Sequence, residues 1–188
     1  MNIVKFFFKY STSSIYLTKF EKIIRKYPDK KWDWYIISKN SNIGWNFIKE
    51  NQDIPWDWKG VSENFNMSWN IIRDNPDKPW DYNQLSKCSN ISWEDIGNNL
   101  DKDWNWYELS KHPTLEWYFV RENPDVGWNW YELSKHPNIG WKNIRDNPNM
   151  CWNWRGVSLN PSITFEIVRD NPDKNWDWQL LSRNLSSK

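Results

Sequence analysis

Only two histidines, two cysteines and six glycines occur among the 188 residues of this chain, and each shortage closes off a class of chemistry. Cys88 and Cys151 lie 63 residues apart with no ligand spacing around them. They form neither a disulfide framework nor a metal motif, and a reducing, cytoplasmic compartment is expected. His112 and His136 are 24 residues apart and each precedes a proline. That separation is too long for a shared metal with ligand distances of about 2 Å. The glycines form no phosphate-cradling run. No apolar stretch reaches the roughly 18 residues of a membrane span, so no membrane partner is expected.

Net charge is also scarce, at +1, but it is unevenly placed. Residues 1–31 carry eight Lys or Arg against two acids, which leaves 32–188 at −5. The leading segment has no acid before Glu21 and contains Lys5, Lys9 and Lys19, the composition of an organelle transit peptide. Its register argues otherwise. Phe8-Lys9-Tyr10 stands 24 residues before Trp32-Asp33-Trp34, and Ser14 stands 24 before Ser38. A degenerate first repeat is therefore preferred to targeting by residues 1–20.

What the chain has in abundance is tryptophan, 18 residues on three phases of a 24-residue period. The first phase is Trp32, Trp56, Trp80, Trp104, Trp128, Trp152 and Trp176. The second follows two residues later, at Trp34, Trp58, Trp106, Trp130, Trp154 and Trp178, with Tyr82 in one copy. The third is Trp45, Trp69, Trp93, Trp117 and Trp141, with Phe165 in the sixth place. Such a period is the signature of a repeat array. The first and third phases together are assigned as the structural core, because a few large rings can fill a thin core that 38% hydrophobic content would otherwise leave sparse.

Within a unit the spacing predicts two short helices. Asp33, Asp57, Asp81, Asn105, Asn129, Asn153 and Asp177 are residue types that cap a helix N-terminus. Gln84, Glu108 and Glu132 three residues on predict capping boxes. This helix is expected to run about two turns and to end at Asn40, Asn64, Asn160, Asn184, His112 or His136, types that tolerate a left-handed cap, with Cys88 as the exception. A second helix starts near the third aromatic, behind Ser68, Ser92, Thr164, Gly44, Gly140 or the poorer Glu116. It stops at Asn51, Asn75, Asn99, Asn123, Asn147 and Asn171, four of which precede a proline. Trp-x-Trp alternation also suits a strand, but it breaks at once, and a propeller blade needs a longer period. The predicted fold is all-α, an α-solenoid of stacked two-helix repeats. Residues 1–31 form a divergent N-terminal cap and half repeat, and 32–188 one continuous domain of about six and a half units.

The run Asn75-Pro76-Asp77-Lys78-Pro79-Trp80-Asp81-Tyr82, followed by Leu85-Ser86 and Asn90-Ile91-Ser92-Trp93, resembles the tryptophan-rich repeat proteins of giant DNA viruses of amoebae. The likeness spans residues 28–184, and the Asn- and Lys-rich composition suits an AT-rich viral genome. The resemblance implies a helical repeat array and, for a viral protein, the cytosol of the infected host. It supplies no catalytic residues.

Repetition explains most residues that would otherwise suggest catalysis. Ser38, Ser62, Ser86, Ser110, Ser134, Ser158 and Ser182 stand in one phase and are read as packing residues that bond a carbonyl one turn back. The recurring aspartates share one environment, whereas an acid–base pair needs two different ones. Neither an enzyme, a cofactor nor a metal is expected. The copies differ most in the pairs after the second aromatic, such as Lys59-Gly60, Asn83-Gln84 and Arg155-Gly156, and this strip is read as surface. Tyr107, Tyr118, Phe119 and Tyr131 are the candidate partner-binding residues, because aromatics are enriched at interfaces. The expected function is a non-enzymatic scaffold for protein–protein interaction. The alternatives are a nucleic-acid-binding helical repeat, which the −5 of the array opposes, and a self-assembling structural array. Sugar binding on Trp platforms ranks lower, since the same rings are needed for the core.

Overall fold

The computed structural model describes residues 18–186, and every regular element among them is helical. The N-terminal readings at Phe8, Lys9, Tyr10 and Ser14 lie outside the described residues. Two compact units divide between Asp103 and Trp104. The first holds α1 (Lys19–Lys26), α2 (Trp34–Lys39), α3 (Trp45–Glu50), α4 (Trp58–Ser62), α5 (Trp69–Arg73), α6 (Tyr82–Leu85) and α7 (Trp93–Gly97). The second holds α8 (Trp106–Leu109), α9 (Trp117–Glu122), α10 (Trp130–Ser134), α11 (Trp141–Asp146), α12 (Trp154–Val157), α13 (Phe165–Arg169) and α14 (Trp178–Ser186). The fold is an all-α repeat fold in which the second- and third-phase aromatics each open a helix.

The helix starts follow from their caps. Each Asp or Asn before a second-phase ring accepts the backbone N–H three residues on, from Asp33 to Asn153 and again at Asp177. The expected capping boxes at Gln84 and Glu132 do not close. The cap's own N–H is already taken, Asp81 by Ser62 Oγ and Asn129 by Ser110 Oγ, both at 2.9 Å. Gln84 and Glu132 turn instead to Lys87 and Lys135 at 3.0 Å.

Helices α2 to α13 are only four to six residues long, shorter than expected, and no described residue has a left-handed backbone. The Asn at the end of the first helix bridges repeats rather than capping its own helix. Asn64 Nδ2 donates to the carbonyls of Ser38, Asn40 and Ile43 at 2.9–3.0 Å. Asn160 Nδ2 does the same with Ser134, His136 and Ile139 at 2.8–3.2 Å. The chain leaves α2 in an extended conformation at Asn40 (φ −69°, ψ 126°).

The second helix ends on a closed loop of bonds. Asn51, Asn75, Asn99, Asn123, Asn147 and Asn171 each donate Nδ2 to the carbonyl four residues back at 2.7–2.9 Å. Their backbone carbonyls at 51, 75, 123, 147 and 171 accept the indole N–H of the first-phase Trp five residues on, at 2.8–2.9 Å. The first-phase ring is thereby pinned in the turn before the next cap.

The deepest core is aliphatic. Ile43, Met67, Ile91, Leu115, Ile139 and Ile163 form a phase two residues before the third aromatic, and all are buried. So are Val61, Leu85, Leu109, Leu133 and Val157 in the first helix, and Ile48, Ile72, Ile96, Val120 and Ile144 in the second. Burying one such side chain fully contributes about 1.5–3 kcal/mol. The rings form a layer over these aliphatics. Trp56, Trp69, Trp80, Trp93, Trp104, Trp128 and Trp176 are buried, whereas Trp32, Trp45, Trp117, Trp141 and Trp152 are half-buried. Phe165, assigned to the core by its phase, is 66% exposed.

Candidate interaction surface

The four aromatics singled out by sequence do not share one environment. Tyr107 and Tyr118 are exposed, at 47% and 51%. Tyr131 is half-buried, and Phe119 is buried against Trp128, with ring centroids 6.0 Å apart. Helical geometry explains the difference. Each residue turns the side chain by about 100°, and Val120 is also buried, so the inward direction lies between positions two and three after Trp117. Tyr118 therefore points away and Phe119 inward. The signal in the sequence was a second Phe at the same phase, Phe47 two residues after Trp45, and it is buried too.

Tyr107 and Tyr131 are dressed alike. Lys111 Nζ stands 4.1 Å from the Tyr107 ring centroid and Lys135 Nζ 4.6 Å from that of Tyr131. Each lysine also pairs with a glutamate three residues earlier, Glu108 at 2.9 Å and Glu132 at 3.0 Å. In the first unit Tyr35 donates to Glu63 at 3.0 Å, and Lys39 pairs with the same carboxylate at 2.7 Å. Burial works to raise the Glu63 pKa, but the Lys39 and Tyr35 hydrogen bonds outweigh it and hold the carboxyl below its usual range.

The variable strip is only half surface. Its first positions, such as Lys59, Asn83 and Arg155, are exposed, but Gly60, Gln84, Glu132 and Gly156 are buried. At Gly156 a Cβ would lie 2.6 Å from the Tyr131 carbonyl and 2.9 Å from Ser134 Cβ, and Gly60 meets Tyr35 O in the same way. Neighbouring first helices touch there, so part of the variation records how closely they approach.

The registered serines and histidines join repeat to repeat. Ser38, Ser62, Ser110, Ser134 and Ser158 Oγ each accept the cap N–H 19 residues later at 2.9–3.0 Å. Ser110 and Ser158 also donate to the carbonyl four residues back at 2.6 and 2.8 Å. Their hydroxyl protons are committed to structure. No family profile, curated protein or solved structure matches this chain. Among the polar registers, His136 joins its repeat to the preceding one. Its Nδ1 accepts the Asn138 N–H at 3.2 Å and its Nε2 meets the His112 carbonyl at 3.1 Å. These are the roles of Oδ1 and Nδ2 at Asn64 and Asn160. An amide N–H can only donate and a carbonyl only accept, so the imidazole is neutral with its proton on Nε2. Burial holds both His112 and His136 below the usual histidine range.

Exposed cations gather on and just after α1. Lys19, Lys22, Lys26, Lys30 and Lys31 are exposed, while Arg25 lies 3.7 Å from Glu50 and over the Phe47 ring. No helix among the described residues is long and apolar enough to cross a membrane.

Proposed function

We propose that this protein is a non-enzymatic repeat scaffold that binds another protein, and that it belongs with the tryptophan-rich repeat proteins of giant viruses, acting in the host cytosol. The observation that carries the reading is the commitment of the repeated serines, asparagines and histidines to bonds between repeats. What remains free to differ is a set of exposed side chains led by Tyr107 and Tyr118. Tyrosine supplies a large, rigid contact area at low entropic cost and is enriched in binding hot spots. Affinity capture from the producing cell, with tagged wild type beside Tyr107→Ala and Tyr118→Ala, tests it. A partner retained by the wild type should be lost at least about ten-fold in one variant. A partner retained equally by both variants would move recognition elsewhere.

A second reading, nucleic-acid binding, is favoured by the exposed lysines of α1 and the residues after it. It predicts salt-dependent retention of a single-stranded oligonucleotide that weakens when Lys22 and Lys26 are changed to Gln.

A further inference from the structure

Each compact unit contains a cleft built from the same repeat positions. Trp45, Trp56 and Trp58 line one of 550 Å³. Trp141, Trp152 and Trp154, four repeats later in register, line one of 360 Å³. The rims correspond as well, with Lys49, Asp77 and Lys78 in the first matched by Arg145, Asp173 and Lys174 in the second. Both volumes fall within the range of about 300–1,000 Å³ typical of small-ligand sites.

We propose that each cleft binds a pyranose sugar. Trp56 and Trp152 spend their indole N–H groups on backbone carbonyls. Trp45, Trp58, Trp141 and Trp154 are half-buried and their indole N–H groups make no hydrogen bond within the described residues, so each cleft is lined by apolar ring surface and two indoles with unspent donors. A pyranose has the matching shape, a flat C–H face rimmed by hydroxyls. Asp77 and Lys78, 3.0 Å apart, place an acceptor beside a donor, which is what two neighbouring hydroxyls require. In the second cleft Lys174 Nζ lies 6.0 Å from the Trp154 ring centroid, and Asp173 forms no ion pair among the described residues.

Charge narrows the ligand further. Each lining holds two cations and one carboxylate, with Arg145 of the second also paired to Asp146 at 2.8 Å, and cations beside the rings disfavour the ammonium ligands that aromatic cages otherwise hold. The carboxylate in turn opposes a phosphate, and with it a stacked nucleotide. A neutral sugar meets neither objection. The aliphatic phases fill the deepest positions of the core, and these four indoles are only half-buried above them.

The test is a titration of the ¹⁵N-labelled full chain, followed through its indole N–H signals, with cellohexaose, xylohexaose and mannohexaose. The cationic glucosamine hexamer and a single-stranded oligothymidylate serve as counter-probes. At least one of these three neutral sugars should shift the Trp45, Trp58, Trp141 and Trp154 signals with a dissociation constant below about 1 mM, while the counter-probes leave them in place. Asp77→Ala and Asp173→Ala, both at exposed carboxylates, should weaken binding at least about ten-fold in their own cleft only, with circular dichroism unchanged. The proposal is overturned by the absence of these shifts with all three sugars. It is also overturned by binding that ignores both Asp substitutions, or by preferential binding of either counter-probe.

Discussion

One carboxamide at Asn64 holds three carbonyls of the preceding repeat, and the same phase elsewhere shows what happens when the donor changes. Cys88 occupies that place with a thiol, whose Sγ reaches the Ser62 carbonyl only at 3.7 Å. Burial raises its pKa, consistent with a thiol that stays protonated and donates weakly. Cys88→Asn should restore ordinary hydrogen bonds to the same carbonyls and raise stability by about 1 kcal/mol, read as a higher urea midpoint. An unchanged or lower midpoint would mean that the cysteine repeat has settled into a spacing an amide no longer fits. His112 and His136 fill the same phase with a titratable ring. Because burial lowers both folded-state values, the unfolded chain binds protons that the folded chain does not. Their contribution is complete above the unfolded histidine pKa of about 6.5 and is lost as pH falls below it. Urea midpoints taken between pH 7.5 and pH 5 should therefore fall, and His136→Asn, which keeps both bonds without titrating, should flatten the slope. Equal slopes in the two proteins would remove the histidines from the account.

At the scale of the element, the helices are too short to stand alone, since isolated helices need about 12–15 residues to be even marginal. Their stability lies in contacts such as that between α10 and α12 at Gly156. Gly156→Ala gains helix propensity of up to about 1 kcal/mol, but its Cβ would meet the Tyr131 backbone at 2.6 Å. A net loss of roughly 1–3 kcal/mol is expected from calorimetry or denaturant melts; a gain would show that α12 slides at no cost. Helix α9 separates the two aromatics that sequence had grouped. Phe119→Ala should cost about 3–5 kcal/mol as a core deletion, whereas Tyr118→Ala should change stability by less than about 1 kcal/mol. Similar losses in both variants would mean that the Tyr118 ring packs in solution.

Across the whole molecule the same bonds recur at a fixed register, so spectroscopic classes should follow phase rather than position in the chain. The indole N–H groups of Trp56, Trp80, Trp128, Trp152 and Trp176 are bonded to backbone carbonyls in the turn. Those of Trp34, Trp58, Trp130 and Trp154 make no such bond within the described residues. Hydrogen exchange followed by NMR should divide these nine into a slow set and a fast set along that line. A single distribution of rates would indicate that the turns open independently of the caps and cores they join.

The sequence by itself determined the period, the helical class, the Asp and Asn caps and the Asn stops, because each depends on local chemistry repeated at constant spacing. It also placed Tyr107 and Tyr118 on a variable position, though Phe119 was grouped with them and belongs to the core. Tertiary structure decided what the repeated polar residues bond to. Ser62 and Asn64 have no partner within their own helix that explains their recurrence; their partners are Asp81 in the following repeat and Ser38, Asn40 and Ile43 in the preceding one. It likewise decided which ring phases are covered, since Trp80 and Trp176 are buried and meet the half-buried Trp58 and Trp154 of the preceding repeat edge to face at ring-centroid distances of 5.1 Å. Such contacts join residues about 20 positions apart, a distance over which local propensity carries no information and only packing specifies the partner.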